Sequence, residues 1–205
     1  MANDDWYPGA GGLIPHGRLR HVGMYKLTTS TVAVFRGQPM DLDSNGGVVP
    51  ATTGDSEYIL GPVLGFTDIG TKGGLPSNLL DINQEAYLDG NNNSYVLIAD
   101  DPDQLFEVQC DTGGTSLESS NIGNFATLIP MSTTVSGSTV TGWSSFGLDQ
   151  DDAAGDTGGC CQVVALSERM NSDGSTNTAG SDYVKAIVRL TGHRLGGRGE
   201  TSLGI

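Results

Sequence analysis

The stretch PMDLDSNGGVVP, residues 39–50, decides how this chain folds. Its opening matches a helix–loop–helix calcium site, with Asp41, Asp43 and Asn45 at alternate positions and Gly46 at the sharp turn. Such a loop closes on a bidentate Glu at its twelfth position and sits between two helices. Here Thr52 stands at that position, and the flanks, VAVFRGQPMDL before and GVVPA after, read as strands. DSNGG is therefore read as a hairpin turn in which Asn and Gly accept positive φ, with a weak surface calcium site as the alternative.

The rest of the chain agrees with strands. Its 205 residues suit one sizeable domain or two small ones and can bury a core without metals or disulfides. Gly is abundant, at 31 residues, while charged residues make up only 17%, which favours short strands joined by tight turns over surface helices. In YVKAIVRL, Val184, Ala186, Val188 and Leu190 alternate with Lys185 and Arg189, the pattern of a half-buried strand. LFEVQC repeats it, with Phe106, Val108 and Cys110 inward and Glu107 and Gln109 outward. In EYILGPVLGF one face carries Tyr58, Leu60, Pro62, Leu64 and Phe66, and the other carries Ile59, Gly61, Val63 and Gly65. The expected fold is all-β, a compact barrel or sandwich with long Gly- and Asp-rich loops, extended terminal arms and little helix. PSNLLDINQEAYL is ambiguous between a helix and an extended segment, and TSLESSNIGNFATL has room for one short turn. The expected divisions are an arm over 1–22, a β domain over 23–193 with a soft subdivision near 70–90, and a tail over 194–205.

Charge narrows the function. The formal net charge of -14 argues against nucleic-acid binding, which needs clustered Lys and Arg. Eight of the ten basic residues lie in two outer segments: Arg18, Arg20, Lys26 and Arg36, then Lys185, Arg189, Arg194 and Arg198. Between Gly37 and Val184 only Lys72 and Arg169 face 21 acids. This division predicts two surfaces, a basic one that grips something acidic or polar and an acidic body that stays solvated. MANDDWYPGAGG has neither a basic start nor an apolar run, and no stretch approaches the length of a membrane span, so a soluble protein with no secretory signal or membrane partner is expected. Cys110, Cys160 and Cys161 lack zinc-like spacing and read as buried thiols.

Catalytic signatures are weak. His16, His21 and His193 are the only histidines, no Ser sits in a G-x-S-x-G turn, and the glycine-rich stretches lack a phosphate-loop Lys. Asp100, Asp101 and Asp103, and Asp149, Asp151, Asp152 and Asp156, are candidate cation ligands, with solvated loops as the plainer reading. No enzyme activity, cofactor or metal is expected.

The order of segments adds a resemblance. GMYKLTTSTVAVFRGQPMDLDSNGGVVPAT, ILGPVLGF, SYVLIADDPDQLFEVQ, SGSTVTGWSSFGLD and YVKAIVRLTGH together resemble the small capsid decoration, or head-cement, proteins of tailed bacteriophages, over about Gly23 to His193. The piece VLIADDPDQLFEVQ is the most distinctive. The resemblance implies a structural virion protein on the outside of a capsid, bound to the major capsid protein and often trimeric, with no catalytic residues. On that expectation the outer segments make the capsid contact, with Trp6, Tyr7, Leu13 and Ile14 as apolar anchors and Arg18, Arg20, Arg194 and Arg198 as polar partners. Removing residues 1–20 is then expected to abolish capsid binding and leave the β fold intact. The alternatives are a tail, collar or fibre component, or a calcium-assisted surface-binding module.

Overall fold

The computed structural model describes residues 11–28, 33–51, 58–68, 87–89, 94–112, 114–131, 137–139, 141–155, 159–170 and 174–196. The strands in chain order are β1 (Ile14–His16), β2 (Gly23–Lys26), β3 (Ala33–Phe35), β4 (Pro39–Leu42), β5 (Val48–Pro50), β6 (Gly61–Asp68) and β7 (Tyr87–Asp89). After them come β8 (Ser94–Ile98), β9 (Leu105–Gln109), β10 (Phe125–Ala126), β11 (Leu128–Pro130), β12 (Phe146–Leu148), β13 (Cys161–Leu166) and β14 (Lys185–Leu190). One short helix, α1 (Gln150–Gly155), and one 3-10 turn at Ser119–Asn121 complete the described elements.

Two five-stranded antiparallel sheets carry the fold, in the orders β1-β9-β14-β13-β10 and β2-β8-β6-β4-β5. Among the described residues the architecture is thus all-β and sandwich-like, without a closed barrel. The second sheet curls until its edges touch at one parallel bridge, Leu27 with Val48, where the Thr28 amide donates to the Val48 carbonyl at 3.0 Å. The chain changes sheet at 99–104, between β8 and β9, whereas residues 69–86 lie outside the described residues.

PMDLDSNGGVVP forms the β4–β5 hairpin, with Met40 paired to Pro50 and Leu42 to Val48. Gly46 takes φ 80 while Asn45 does not adopt positive φ. Asn45 instead donates its side-chain amide to Asp43 at 2.8 Å, and the Asp43 amide donates to the Gly47 carbonyl at 2.9 Å.

Alternation builds the larger core. Val184, Ala186, Val188 and Leu190 all point inward against Phe106, Val108 and Cys110. Glu107 departs from the expected outward setting: it is 9% exposed, accepting hydrogen bonds from the Ser167 hydroxyl at 2.6 Å and Arg169 Nη1 at 3.1 Å. Ser167 and Arg169 follow β13 and fold over this face, so a carboxylate placed outward by the pleat is covered by the next loop. EYILGPVLGF also departs from simple alternation, because its pairing to β8 shifts between Val63 and Gly65. Leu60, Val63 and Phe66 consequently join the smaller core with Leu27, Met40, Val48, Val96 and Ile98. Ile59 and Leu64 pack against the larger one, so this strand serves both cores.

Main-chain ties hold the two sheets together. The Leu13 amide donates to the Gly37 carbonyl at 2.9 Å, while the Gly12 amide donates at 2.6 Å to the Phe146 carbonyl of the separate β11–β12 pair. Ile59 bridges His193, with the Ile59 amide donating to the Gly192 carbonyl at 2.8 Å. The arm expected over 1–22 is therefore integral from Gly11 onward: Leu13 is 1% exposed in the larger core, and Ile14 pairs opposite Glu107 at a sheet edge.

Candidate functional site

A transverse row of residues crosses one face of the first sheet, pairing Phe125 with Gln162, Gln162 with Arg189, Arg189 with Leu105 and Leu105 with His16. Paired residues in antiparallel strands share a face, so Arg189 stands beside the start of the 16–20 segment. There it lines a cleft of about 470 Å³ together with His16, Arg18, Arg20, Asp103 and Gln104. Arg189 and Asp103 also line an adjoining hollow of about 330 Å³ whose far side is His193 and Gly196.

Buried Gln104 shapes the cleft. Its side-chain amide donates to the His16 carbonyl at 3.0 Å and the Leu105 carbonyl at 2.9 Å, while its oxygen accepts from the Arg20 amide at 3.1 Å. The preceding turn is set by Asp101, whose carboxylate accepts from the Asp103 amide at 2.8 Å. Across the cleft, Arg189 Nη2 donates to Gln162 Oε1 at 2.7 Å, which fixes the guanidinium without neutralising it. Among the described residues Arg18 and Arg20 are exposed and have no ion-pair partner.

A polar clasp borders the cleft. His21 Nδ1 lies 2.5 Å from Asp100 Oδ1, and the Tyr25 hydroxyl donates to Asp100 Oδ2 at 2.5 Å. Hydrogen bonding to Asp100, and then its charge, raises His21 above the ordinary imidazole value. Burial, with the Asp100 bond added, pushes Tyr25 up to about 12. Burial pulls Asp100 itself upward, but the bonds from Tyr25 and His21 outweigh it and hold the carboxyl below its usual range. His193 goes the opposite way from His21, because burial lowers it. Its Nδ1 accepts from the Leu195 amide at 3.0 Å, so the 193–195 turn is fixed by a neutral ring.

The chain matches no family model and no curated protein.

Of the residues singled out in the sequence, Arg18 and Arg20 come together at the cleft. Leu13 is removed from any outward role by burial, and Ile14 is half-buried in β1. Arg194 is exposed but engaged within its own chain: its Nε and Nη2 donate to the two carboxylate oxygens of Asp41 at 2.5 and 2.6 Å, and its guanidinium lies 4.7 Å from the centre of the Tyr58 ring. Both oxygens of the first would-be calcium ligand are thereby engaged. Trp6, Tyr7, Arg198 and Asp156 lie outside the described residues. The other candidate acids have local work: Asp149 accepts from the Asp151 and Asp152 amides at the start of α1, and Asp151 accepts from the Thr115 amide. Cys110, Cys160 and Cys161 are buried thiols. The alternation in YVKAIVRL puts Arg189 on the polar face of its strand, and the register with Leu105 and His16 makes it a wall of the cleft.

Proposed function

We propose that this chain is a structural, non-catalytic virion protein that binds the outer surface of a phage capsid through the face around the arginine cleft, and so stabilises the shell. The observation that carries the reading is the convergence of Arg18, Arg20 and Arg189 on one cleft, with the exposed Leu19 and Leu195 each next in the chain to residues that line the cleft or its adjoining hollow. Arginine combined with exposed apolar side chains is the composition of protein-docking surfaces. The cross-tied β body behind it suits a part that must transmit load between shell subunits without yielding. In this proposal the major capsid protein is the partner, the protein assembles as a trimer on the capsid exterior, and the acidic remainder limits adhesion between particles by like-charge repulsion.

The test is the number of copies of this chain per copy of the major capsid protein in purified virions, by quantitative mass spectrometry. A ratio near one supports cementing across the shell. A handful of copies per particle moves the protein to the tail or portal, and absence overturns the virion reading. Removing residues 1–20 is no longer a fair test of binding, because it deletes β1 and Leu13 and with them part of the core. Substitutions at Arg18 and Arg20 leave the core untouched.

A further inference from the structure

We infer that the arginine cleft seats an acidic segment of a partner protein, its carboxylates held by Arg18, Arg20 and Arg189 and its apolar side chains set against Leu19 and Leu195. This rests on the reading of that face as a docking surface. The charge pattern is the first ground. In a chain with 24 acids and 10 bases, three arginines line one cleft in which, among the described residues, Asp103 is the one acidic lining residue. Guanidinium groups gathered this way repel one another until an anion joins them, and their planar forks match carboxylates in two-point contact.

The surroundings select among anions. Leu19, 42% exposed, lies between Arg18 and Arg20 in the chain, and Leu195, 55% exposed, lies between the hollow-lining residues His193 and Gly196. A small inorganic anion leaves these apolar side chains unused. A nucleic-acid backbone needs a longer basic track than three arginines around one cleft. A peptide that mixes carboxylates with apolar side chains satisfies both sets of groups. The cleft is partly preformed: Gln104 fixes the main chain at His16 and Arg20, and Gln162 fixes the Arg189 side chain, so ordering on binding falls chiefly on the Arg18 and Arg20 side chains.

The probe is a short acetylated peptide of alternating Glu and Leu, titrated into the full isotope-labelled chain while the Nε–H signals of Arg18, Arg20 and Arg189 are followed by NMR. The expected result is saturable shifts at all three, weakened by salt, with affinity reduced at least about tenfold in Arg18→Ser/Arg20→Ser and little changed in Lys26→Gln. Absence of saturation, equal binding of a Lys–Leu peptide, or an equal response to inorganic phosphate overturns the inference. Concentration-dependent self-association that the double substitution abolishes also overturns it, since the occupant is then a second copy of this chain. Failure of the capsid reading is separable: peptide binding without any presence in virions overturns that reading alone, whereas shell binding that survives Arg18→Ser/Arg20→Ser overturns the acidic occupant alone.

Discussion

Replacing Arg194 with Ala tests how the two sheets are held. Arg194 follows β14 of the first sheet and reaches Asp41 on β4 of the second, with both contacts no longer than 2.6 Å. Two unit charges with centres about 4 Å apart, the spacing of a guanidinium and a carboxylate in two-point contact, attract by about 4 kcal/mol at an effective dielectric of about 20. Desolvation and side-chain ordering remove part of that. The Asp41 side chain is 13% exposed and that of Arg194 32%, so the pair lies between an exposed bridge, at about 0.2–1 kcal/mol, and a buried one, at about 3–5 kcal/mol when broken. We expect a coupling near 2 kcal/mol, with about 0.5–1 kcal/mol more from Tyr58. Arg194→Ala then costs about 2–3 kcal/mol, a fall of about 5–10 °C in Tm for a chain of this size. The assay is a double-mutant cycle with Asp41→Ala by urea denaturation, since Asp41 also accepts from the Leu42 amide and the cycle cancels that loss. A coupling below about 0.5 kcal/mol would refute the assignment, because that is the value of a solvated surface pair. Calcium gives an independent check: a rise in Tm on calcium addition that Asp41→Ala abolishes contradicts the commitment of Asp41 to Arg194.

The two shifted histidines should titrate on opposite sides of the ordinary value near 6.5, which NMR reads directly. His21, raised, contributes stability that is full below that value and is lost as pH rises through its folded pKa; His193, lowered, contributes stability present above it and lost as pH falls. Stability between about pH 5 and 8 is therefore a balance, and His21→Gln should make it rise more steeply with pH; an unchanged profile contradicts the clasp. Tyr25→Phe removes one of two side-chain donors from a carboxylate that is 4% exposed and should cost about 1–3 kcal/mol in urea denaturation, with no loss expected if water takes its place. Gly12→Ala should be more damaging, because φ is +87 there and the new methyl would lie 2.5 Å from the Gly37 carbonyl oxygen; a cost under about 1 kcal/mol argues against the tie between the segments.

The strands most legible in the sequence were those whose inner and outer faces differ. Val184 to Leu190 and Phe106 to Cys110 alternate because one face meets the core, and the hairpin at 43–47 is marked by residues suited to a turn. EYILGPVLGF misled because a strand between two cores is apolar on both faces, so its pattern carries no mark of the shift at Val63–Gly65. Glu107 misled because the loop that buries it begins 60 residues later. The cleft was half legible: clustering of Arg18 and Arg20 showed in the chain, but Arg189 joins them only through strand register, and Arg194 leaves them through a contact spanning 153 residues. Local composition records neither.

The threading of β1 has a consequence for the order of assembly. Ile14 emerges early in synthesis, yet its partner Glu107 and the Phe146 carbonyl that receives the Gly12 amide are made much later. At about 5–20 residues per second, β1 waits roughly 5–20 s for β9. The β2–β8 sheet needs nothing beyond Ile98 for its own ladders and has time to form first. Leu13 meanwhile remains unsheltered, a natural handle for a chaperone. The same threading acts in reverse once the chain is complete: β1 detaches only when its ladder to β9 opens, so a protease that must lift this segment off the sheet cuts in proportion to how often that local opening occurs.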